Sequence, residues 1–442
     1  MWRSPVRGTL AATLLTLCAL WPRPAAAVDL PRVLRDVLRR NPDIGAARFE
    51  AAASRERAVR AGSWSSPMLE FGVVNVPTNG RFDMDPMTMK MVGITQRVPV
   101  FGANRLARRA GEAAASADTA MLLAMRWERC GEAWAMYAEA YFSGERAATA
   151  LRHRGVIQRM VEAARARYAS GRGRLDDMLR AEAEAANVAV DAADFAARSS
   201  VAHAGLAALA GAPASVPLGT LDPPPVIEVD ANPRAWLDAA LGNPQLAVRD
   251  ANVRRYELDA RAARRMVWPD IELKASYGFR TELSSEQAHL GPTQQDNMFS
   301  VSAGFMLPMF ARSREYAEAR EMSAMAQAAV FERAAITLEL ERAVTAAHAR
   351  AIAAARIVRL VADTVLVVQH RGLDAAWSSY TAGTSDLLSL FETAHALYMS
   401  ELREIDERAA LARAHATLVS VTGRFDLIGV AVGASTEEGS AR

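Results

Sequence analysis

The sequence has 442 residues, which is long enough for two or more ordinary domains. Its formal net charge at pH 7 is +2, and this near-balance gives no reason to expect a nucleic-acid partner. The sequence contains no glycine-rich phosphate loop and no HExxH, CxxC or GxSxG motif, so we expect neither an enzyme nor a bound cofactor.

The first 27 residues have the layout of a secretory signal peptide. A basic start precedes the apolar run LAATLLTLCAL, and the small residues of WPRPAAA follow it. We predict that residues 1–27 are removed and that Val28 begins the mature chain. An alternative is that Cys18 becomes a lipid-modified N-terminus. With the signal removed, Cys130 is the one remaining cysteine, so an intrachain disulfide is excluded.

The rest of the sequence reads as two copies of one plan. Asn41-Pro42 recurs as Asn243-Pro244, and YASGRGRLDDML, which begins at Tyr168, is echoed by YTAGTSDLLSLF, which begins at Tyr380. A proline-rich stretch separates the copies. We therefore predict four parts after the signal: a first repeat at 28–212, a linker at 213–233, a second repeat at 234–424 and a flexible C-terminal tail at 425–442.

Each repeat contains a long region without proline that is rich in helix-forming residues. Glycine interrupts each region once, at Gly171 and at Gly383, so we predict helical hairpins at about 103–210 and about 312–424. Within the first hairpin, apolar and aromatic residues follow the alternating spacing of four and three that is typical of coiled coils. These residues are Leu123, Trp127, Cys130, Trp134, Tyr137 and Tyr141.

A pair of strands is predicted before each hairpin, at about 67–98 and about 269–308. The individual strands fall near 67–76, 87–98, 269–280 and 297–307. Strands of about 10 residues suit a tilted membrane-spanning β-strand. Four such strands cannot close a barrel, and unpaired strand edges are not tolerated in lipid. Several copies of the chain must therefore contribute, and a trimer would supply twelve strands.

The order of these features resembles the TolC family of outer-membrane efflux channels. The resemblance rests on the tandem repeat, on ITQRVPVFGANR and AGFMLPMFARSR at the strand-to-helix junctions, and on YxxG at each hairpin turn. It implies an α+β membrane protein: a homotrimer with a 12-stranded β-barrel in outer-membrane lipid, continuous with a coiled-coil α-helical barrel in the periplasm. It also implies a passive exit duct that works with a periplasmic adaptor (a membrane fusion protein) and an inner-membrane pump of the RND type.

Two other functions remain open from the sequence. The same fold serves drug or small-molecule efflux and type I secretion of polypeptides. A chain with long helical hairpins could also be a periplasmic coiled-coil adaptor. Two hairpins, each preceded by strands of membrane-spanning length, favour the channel over the adaptor.

The resemblance also implies a gate near the second hairpin turn. The family's ring of acidic residues occupies the sixth and ninth positions after the turn glycine, which are Ser389 and Glu392 here. The family's tyrosine is kept as Tyr380, and in the first repeat the corresponding acid is kept as Asp177. The tunnel mouth would thus carry one carboxylate ring, formed by Glu392. The alternative is that Glu392 is an ordinary solvated acid on a helix surface.

The hairpin turns are the surfaces on which the family's adaptor docks. The alternative is that their charged and polar residues only solvate the loop tips. Ser385 stands where the family has an arginine, which implies a weakened latch. The turn residues assigned to docking are Gly171, Arg172, Gly173, Arg174, Gly383, Thr384 and Ser385.

The stretch MDPMTMKM supplies four methionines, Met84, Met87, Met89 and Met91. In a strand over 87–98 the last three would share one face. Thioethers favour soft ions such as copper(I), and a duct needs only weak contacts. The alternative is that they are adaptable apolar filler. The methionine-rich strand resembles the heavy-metal branch of the family, which exports copper, silver, cobalt, zinc or cadmium ions.

Overall fold

The structure is a computed structural model, and it describes residues 27–171, 173–215, 219–268, 270–305, 307 and 309–433. The predicted signal up to Ala26, including Cys18, lies outside the described residues. The turn residue Arg172 and the end of the predicted tail, 434–442, also lie outside them.

The two predicted hairpins are present as long helices. Within the described residues the helices are α1 (Leu30–Arg40), α2 (Pro42–Gly62), α3 (Ala103–Ala169), α4 (Leu175–Leu209), α5 (Arg234–Ala240), α6 (Pro244–Arg265), α7 (Glu315–Leu360), α8 (Leu366–Ala382) and α9 (Leu387–Thr422). A single π-helical turn, Val361–Val365, continues α7 into α8. Among these described helices, none combines the length and the apolar character needed to cross a membrane.

The strands are β1 (Met68–Val74), β2 (Met89–Val98), β3 (Ile271–Arg280) and β4 (Met298–Phe305). They form one antiparallel sheet in the order β1-β2-β3-β4. β2 begins two residues later than predicted, because Pro86 and a hydrogen bond from the amide of Thr88 to the carbonyl oxygen of Asp85 place Met87 in a turn. The prediction that Met87 lies on the strand is therefore wrong.

The chain divides into two compact units. The described residues of the first unit fall within Met1–Gly45, Met125–Asn243 and Glu339–Arg442, and they include most of the helical hairpins. The second comprises Ala46–Ala124 and Pro244–Leu338, and it holds the sheet.

The core of the first unit follows the predicted seam of α3. Cys130, Trp134 and Tyr137 are fully buried, and small residues let the helices approach closely. At Gly131 the helices approach closely, since a Cβ added there would lie 2.4 Å from the Cβ of Ser420 on α9. Alanine at these contacts therefore stabilises the unit because it lets the helices pack closely, and less because of the size of its own side chain.

The segment after α9 also belongs to the core of the first unit. A short 3-10 helix, Phe425–Ile428, follows Gly423, and Phe425, Val430 and Val432 are buried. The prediction of a flexible tail from residue 425 onward is therefore wrong for 425–433. These apolar side chains are buried against the unit, and burying them offsets the entropy lost by ordering the chain.

In the second unit, short side chains and ion pairs hold the helices together. Ala117 packs with Val248 and Ala251 in an apolar cluster. The Nη1 atom of Arg249 lies 2.8 Å from a carboxylate oxygen of Glu332.

Candidate functional site

The sheet has one apolar and one polar face, as its register shows. Residues directly opposite each other on antiparallel strands point to the same side. Apart from Lys90 and Gln96, the first face carries only apolar and aromatic residues: Leu69, Phe71, Val73, Val92, Ile94, Val98, Ile271, Leu273, Ala275, Tyr277, Phe279, Phe299, Val301, Ala303 and Phe305. Such a face suits lipid, and the opposite face then faces the lumen of a closed barrel.

β2 taken alone does not show this separation, because the two exceptions on the apolar face, Lys90 and Gln96, both lie on this strand. With four strands aligned, the separation of the two faces is clear.

One end of the sheet carries exposed aromatic residues. Trp64 precedes β1, Trp268 precedes β3, and Phe101 and Phe310 follow β2 and β4. The rings of Phe101 and Trp268 are in contact, with centroids 5.4 Å apart. Aromatic girdles of this kind mark the boundary between lipid and water on membrane barrels.

The polar face holds paired charges and small residues. The ammonium of Lys274 forms an ion pair with the carboxylate of Glu70, to which the hydroxyl of Thr95 donates a 3.1 Å hydrogen bond. Arg97 lies directly opposite Glu272 on the neighbouring strand. These pairs leave a polar surface with little uncompensated charge along much of the sheet.

The four predicted methionines do not lie together. Met89 and Met91 lie on the polar face of β2, opposite Arg280 and Gly278 of β3. Met87 lies in the preceding turn, with its sulfur 3.9 Å from a guanidinium nitrogen of Arg280. The sulfur of Met84 lies farther back in the loop.

Met84 accepts a hydrogen bond of 2.9 Å from the side-chain amide of Asn79. A further methionine on the polar face, Met298 of β4, was missed by sequence reasoning. The alternation along β4 could have placed it there. In the described part of the chain, no group of three or more His, Cys, Asp and Glu side chains is placed to hold a metal ion.

The predicted gate residues have different surroundings. Tyr380 is buried in an apolar cluster with Ile157, Met160 and Leu390, and burial raises the pKa of its hydroxyl. The guanidinium of Arg167 lies over its ring. Tyr380 therefore joins the ends of the hairpins by packing.

Ser389 and Glu392 are exposed on α9, on the side opposite the buried Leu387 and Leu390. The amide of Ser389 donates to the carboxylate of Asp386, which caps the helix. Because residues three apart share a helix face, Ser389 and Glu392 present a common polar surface. Asp177, near the start of α4, is half-buried.

The hairpin turns depend on glycine. Gly171 and Gly383 have φ angles of +72° and +81°, which favour glycine over residues with a Cβ. At Gly173 a Cβ would lie 2.8 Å from the backbone nitrogen of Tyr168. The turns are thus tight caps that leave their polar groups outward.

Some polar groups of the described turn residues have partners within their own turn. Arg174 forms an ion pair of 2.9 Å with Asp176. The hydroxyl of Thr384 donates to the carbonyl oxygen of Ser379, and the adjacent Ser385 is half-buried. The docking role of these residues stays a prediction.

A buried histidine between the helices was also missed, and no sequence motif signals it. The imidazole of His153 on α3 stacks on the ring of Tyr398 on α9, with centroids 4.3 Å apart and planes 2° apart. The Tyr398 hydroxyl donates to a carboxylate oxygen of Asp191 at 3.2 Å. Burial, together with the charge of His395, lowers the pKa of His153 to about 4.

Comparison with known proteins gives one family and one fold. The family model described as "Outer membrane efflux protein" matches residues 33–212 and 236–424. A comparison with curated protein sequences finds no significant match.

Several solved structures are similar to this chain. VceC from Vibrio cholerae has 16% sequence identity and a TM-score of 0.74, with 89% of this chain and 96% of that chain covered. The open state of MtrE from Neisseria gonorrhoeae has 18% identity and a TM-score of 0.71, covering 89% and 88%. CusC has 14% identity and a TM-score of 0.69, covering 91% and 95%. At these identities the likeness concerns the fold.

Proposed function

Because the chain belongs to the outer membrane efflux protein family, we propose that it is the exit duct for heavy-metal cations in a tripartite efflux system. Members of this family form homotrimeric outer-membrane channels that work with periplasmic adaptors and inner-membrane pumps. The predicted fold class is confirmed: four strands per chain in a 12-stranded trimeric barrel, with a long α-helical barrel. Such channels are passive ducts, not enzymes.

The proposed substrate class is supported by the methionines of the polar face. Met89 and Met91 place thioethers on the side of the sheet that faces the lumen of a closed barrel. Neutral sulfur ligands favour soft metal ions such as copper and silver, and they bind more weakly than a closed site of charged ligands. Weak contacts suit a passage, because a tight site would retain the ion.

The proposed gate and docking surfaces lie at the ends of the hairpins. Glu392 is exposed on α9, so three copies around a trimer axis would form the predicted carboxylate ring. The turns at Gly171 and Gly383 would receive the hairpin tips of the adaptor. We expect the inner-membrane pump to be of the RND type, and site-specific cross-linking from Arg174 and Thr384 would identify the adaptor through which it acts.

The test is growth of a deletion strain on copper, silver, cobalt, zinc and cadmium salts and, separately, on organic toxicants. We expect tolerance to at least one metal to fall and to return when the gene is restored on a plasmid. Unchanged metal tolerance with reduced tolerance to organic toxicants would overturn the metal assignment in favour of a drug duct. Recovery of the chain outside the outer-membrane fraction would favour the adaptor alternative.

A further inference from the structure

We propose that Met89, Met91 and Met298 form a thioether seat around Gly278 that selects soft monovalent cations, copper(I) or silver(I), over divalent ions. The seat rests on the proposed function, because it names the kind of metal cation that the duct would pass.

The sheet register brings the three methionines to one glycine. Met91 on β2 and Met298 on β4 both lie directly opposite Gly278, one on each side of it. Met89 is two residues from Met91 on the same strand, so it shares the polar face. Gly278 thus forms the floor between three thioethers.

Gly278 leaves a gap that a sulfur atom fills. A Cβ added to Gly278 would lie 2.6 Å from the Sδ atom of Met89, which is far inside van der Waals contact. Neighbouring strands are about 4.8 Å apart, so Met91 and Met298 are separated by roughly 10 Å across the glycine. Methionine has three flexible side-chain bonds, and two such side chains can close a gap of this size over a small ion.

The ligand chemistry of the seat favours a soft ion. On the polar face around Gly278 the neighbouring residues include Gly72, Ser276 and Ser300. None of these three has an ionisable side chain. Divalent zinc and cobalt prefer imidazole, carboxylate or thiolate ligands, whereas neutral thioethers suit copper(I).

The charges nearby make the seat weak. Arg280 lies on the same face beside Met89, and its guanidinium donates to the carbonyl oxygen of Pro86. Its positive charge disfavours a bound cation, while Glu70 on this face is already paired with Lys274. A weak seat that is repeated once in each protomer of the trimer fits transfer along a lumen rather than storage.

The binding experiment uses the full-length trimer in lipid nanodiscs, with silver nitrate in chloride-free buffer as the probe. All proteins carry Cys130→Ala, because the buried thiol of Cys130 is also a soft ligand. Calorimetry measures affinity, and X-ray absorption at the silver edge identifies sulfur neighbours. We expect sulfur-coordinated silver, and a loss of affinity of about tenfold or more in the triple variant Met89→Leu, Met91→Leu, Met298→Leu.

The matched control replaces three exposed methionines outside the sheet, Met121, Met309 and Met325, with leucine. Both triple variants remove the same number of sulfur atoms, so the total sulfur content does not distinguish them. Equal affinity of the two variants for silver would overturn the seat. Zinc nitrate that binds the trimer as tightly as silver nitrate, and with the same dependence on the three methionines, would overturn its selectivity.

A second pair of variants tests the position of the sulfur atoms without removing any. Gly278→Ala must displace the Met89 sulfur and should lower silver affinity, whereas Gly304→Ala on the same face has nothing within 4 Å of its new Cβ. Equal affinity of Gly278→Ala and Gly304→Ala would contradict the role of Gly278. If the trimer binds silver through these methionines but the deletion strain keeps its metal tolerance, the proposed function fails and the seat stands. If the deletion strain loses metal tolerance but the trimer does not bind silver, the proposed function stands and the seat fails.

Discussion

The guanidinium of Arg167 lies 4.8 Å from the centre of the Tyr380 ring, and its Nη1 atom donates a 3.1 Å hydrogen bond to the carbonyl oxygen of Tyr380. Arg167 is in the last turn of α3 and Tyr380 is in the last turns of α8. One side chain therefore ties the end of the first hairpin to the end of the second. The family's predicted latch arginine is absent at Ser385, and this contact provides a different link.

Replacing Arg167 with glutamine should favour an open channel. The substitution removes a cation–π contact and a charged hydrogen bond, which together contribute about 1–2 kcal/mol. A contact of this strength that is present in the closed form and absent from the open form shifts the equilibrium between them by about tenfold. The measurement is single-channel conductance and open probability in planar bilayers. Arg174→Gln, which loses only an exposed ion pair, is the control, and equal open probability in both variants would rule out the link.

Glu392→Gln should lower the preference of the channel for cations and leave assembly unchanged. Three carboxylates close to a narrow axis attract cations, and the amide keeps the size of the side chain but not its charge. The measurement is the reversal potential in a potassium chloride gradient, with trimer content checked on native gels. Unchanged selectivity would place Glu392 away from the pore axis, as an ordinary surface acid.

The buried histidine predicts a loss of stability in acid. In the unfolded chain an imidazole binds a proton near pH 6.5, whereas His153 does so only near pH 4 in the fold. Between these values the unfolded chain binds more protons, so the stabilisation is complete above about pH 6.5 and is lost as pH falls towards 4. The contribution amounts to about 3 kcal/mol at most for each chain.

The measurement is the thermal midpoint of the purified trimer between pH 7 and pH 4. Tyr398 from α9 faces His153 with its hydroxyl bound to Asp191 of α4, and His395 pairs with Glu184 at 3.5 Å. The control is His153→Phe, which keeps the ring stack and cannot be protonated. The wild type should lose more thermal stability than this variant on acidification, and parallel pH profiles would show that His153 is not responsible.

Sequence patterns predicted the fold because periodicity, proline and glycine determine where long helices run and where they end. The absence of proline allowed α3 to run from Ala103 to Ala169, and Gly171 and Gly383 adopt the left-handed turns that end the helices. The site was predicted less well because it depends on contacts between strands. Periodicity put Met87 on β2, but local hydrogen bonding in the preceding turn delays the start of the strand to Met89.

Contacts between distant segments were also beyond local patterns. Met298 joins Met91 only through the register of three strands, which no single stretch contains. The predicted flexible tail was misjudged for a similar reason. Phe425 and Val430 are buried, and the carbonyl oxygen of Gly433 accepts a hydrogen bond from Arg126 of α3, which is far away in sequence. Tyr380 lies in the last turn of α8, in the second repeat, but its partner Arg167 comes from the first repeat.

The close approach of α3 and α9 at Gly131 predicts that Gly131→Ala destabilises the protein. The new Cβ would lie 2.4 Å from the Cβ of Ser420 and 2.8 Å from its hydroxyl oxygen, so the helices must separate. Overpacking of this kind costs about 1–3 kcal/mol, which outweighs the better helix propensity of alanine. The measurement is the thermal midpoint of the trimer by circular dichroism.

Gly155→Ala is the matched control in the same helix. A Cβ at Gly155 meets nothing within 4 Å, so this substitution should raise stability by about 0.5–1 kcal/mol through helix propensity. The cause of the Gly131 effect is tested by repeating Gly131→Ala in a Ser420→Gly background, where the clashing side chain is absent. The destabilisation should then largely disappear, because the double-mutant cycle isolates the contact between the two residues. An undiminished loss in that background would show that the helix spacing is set elsewhere on α3.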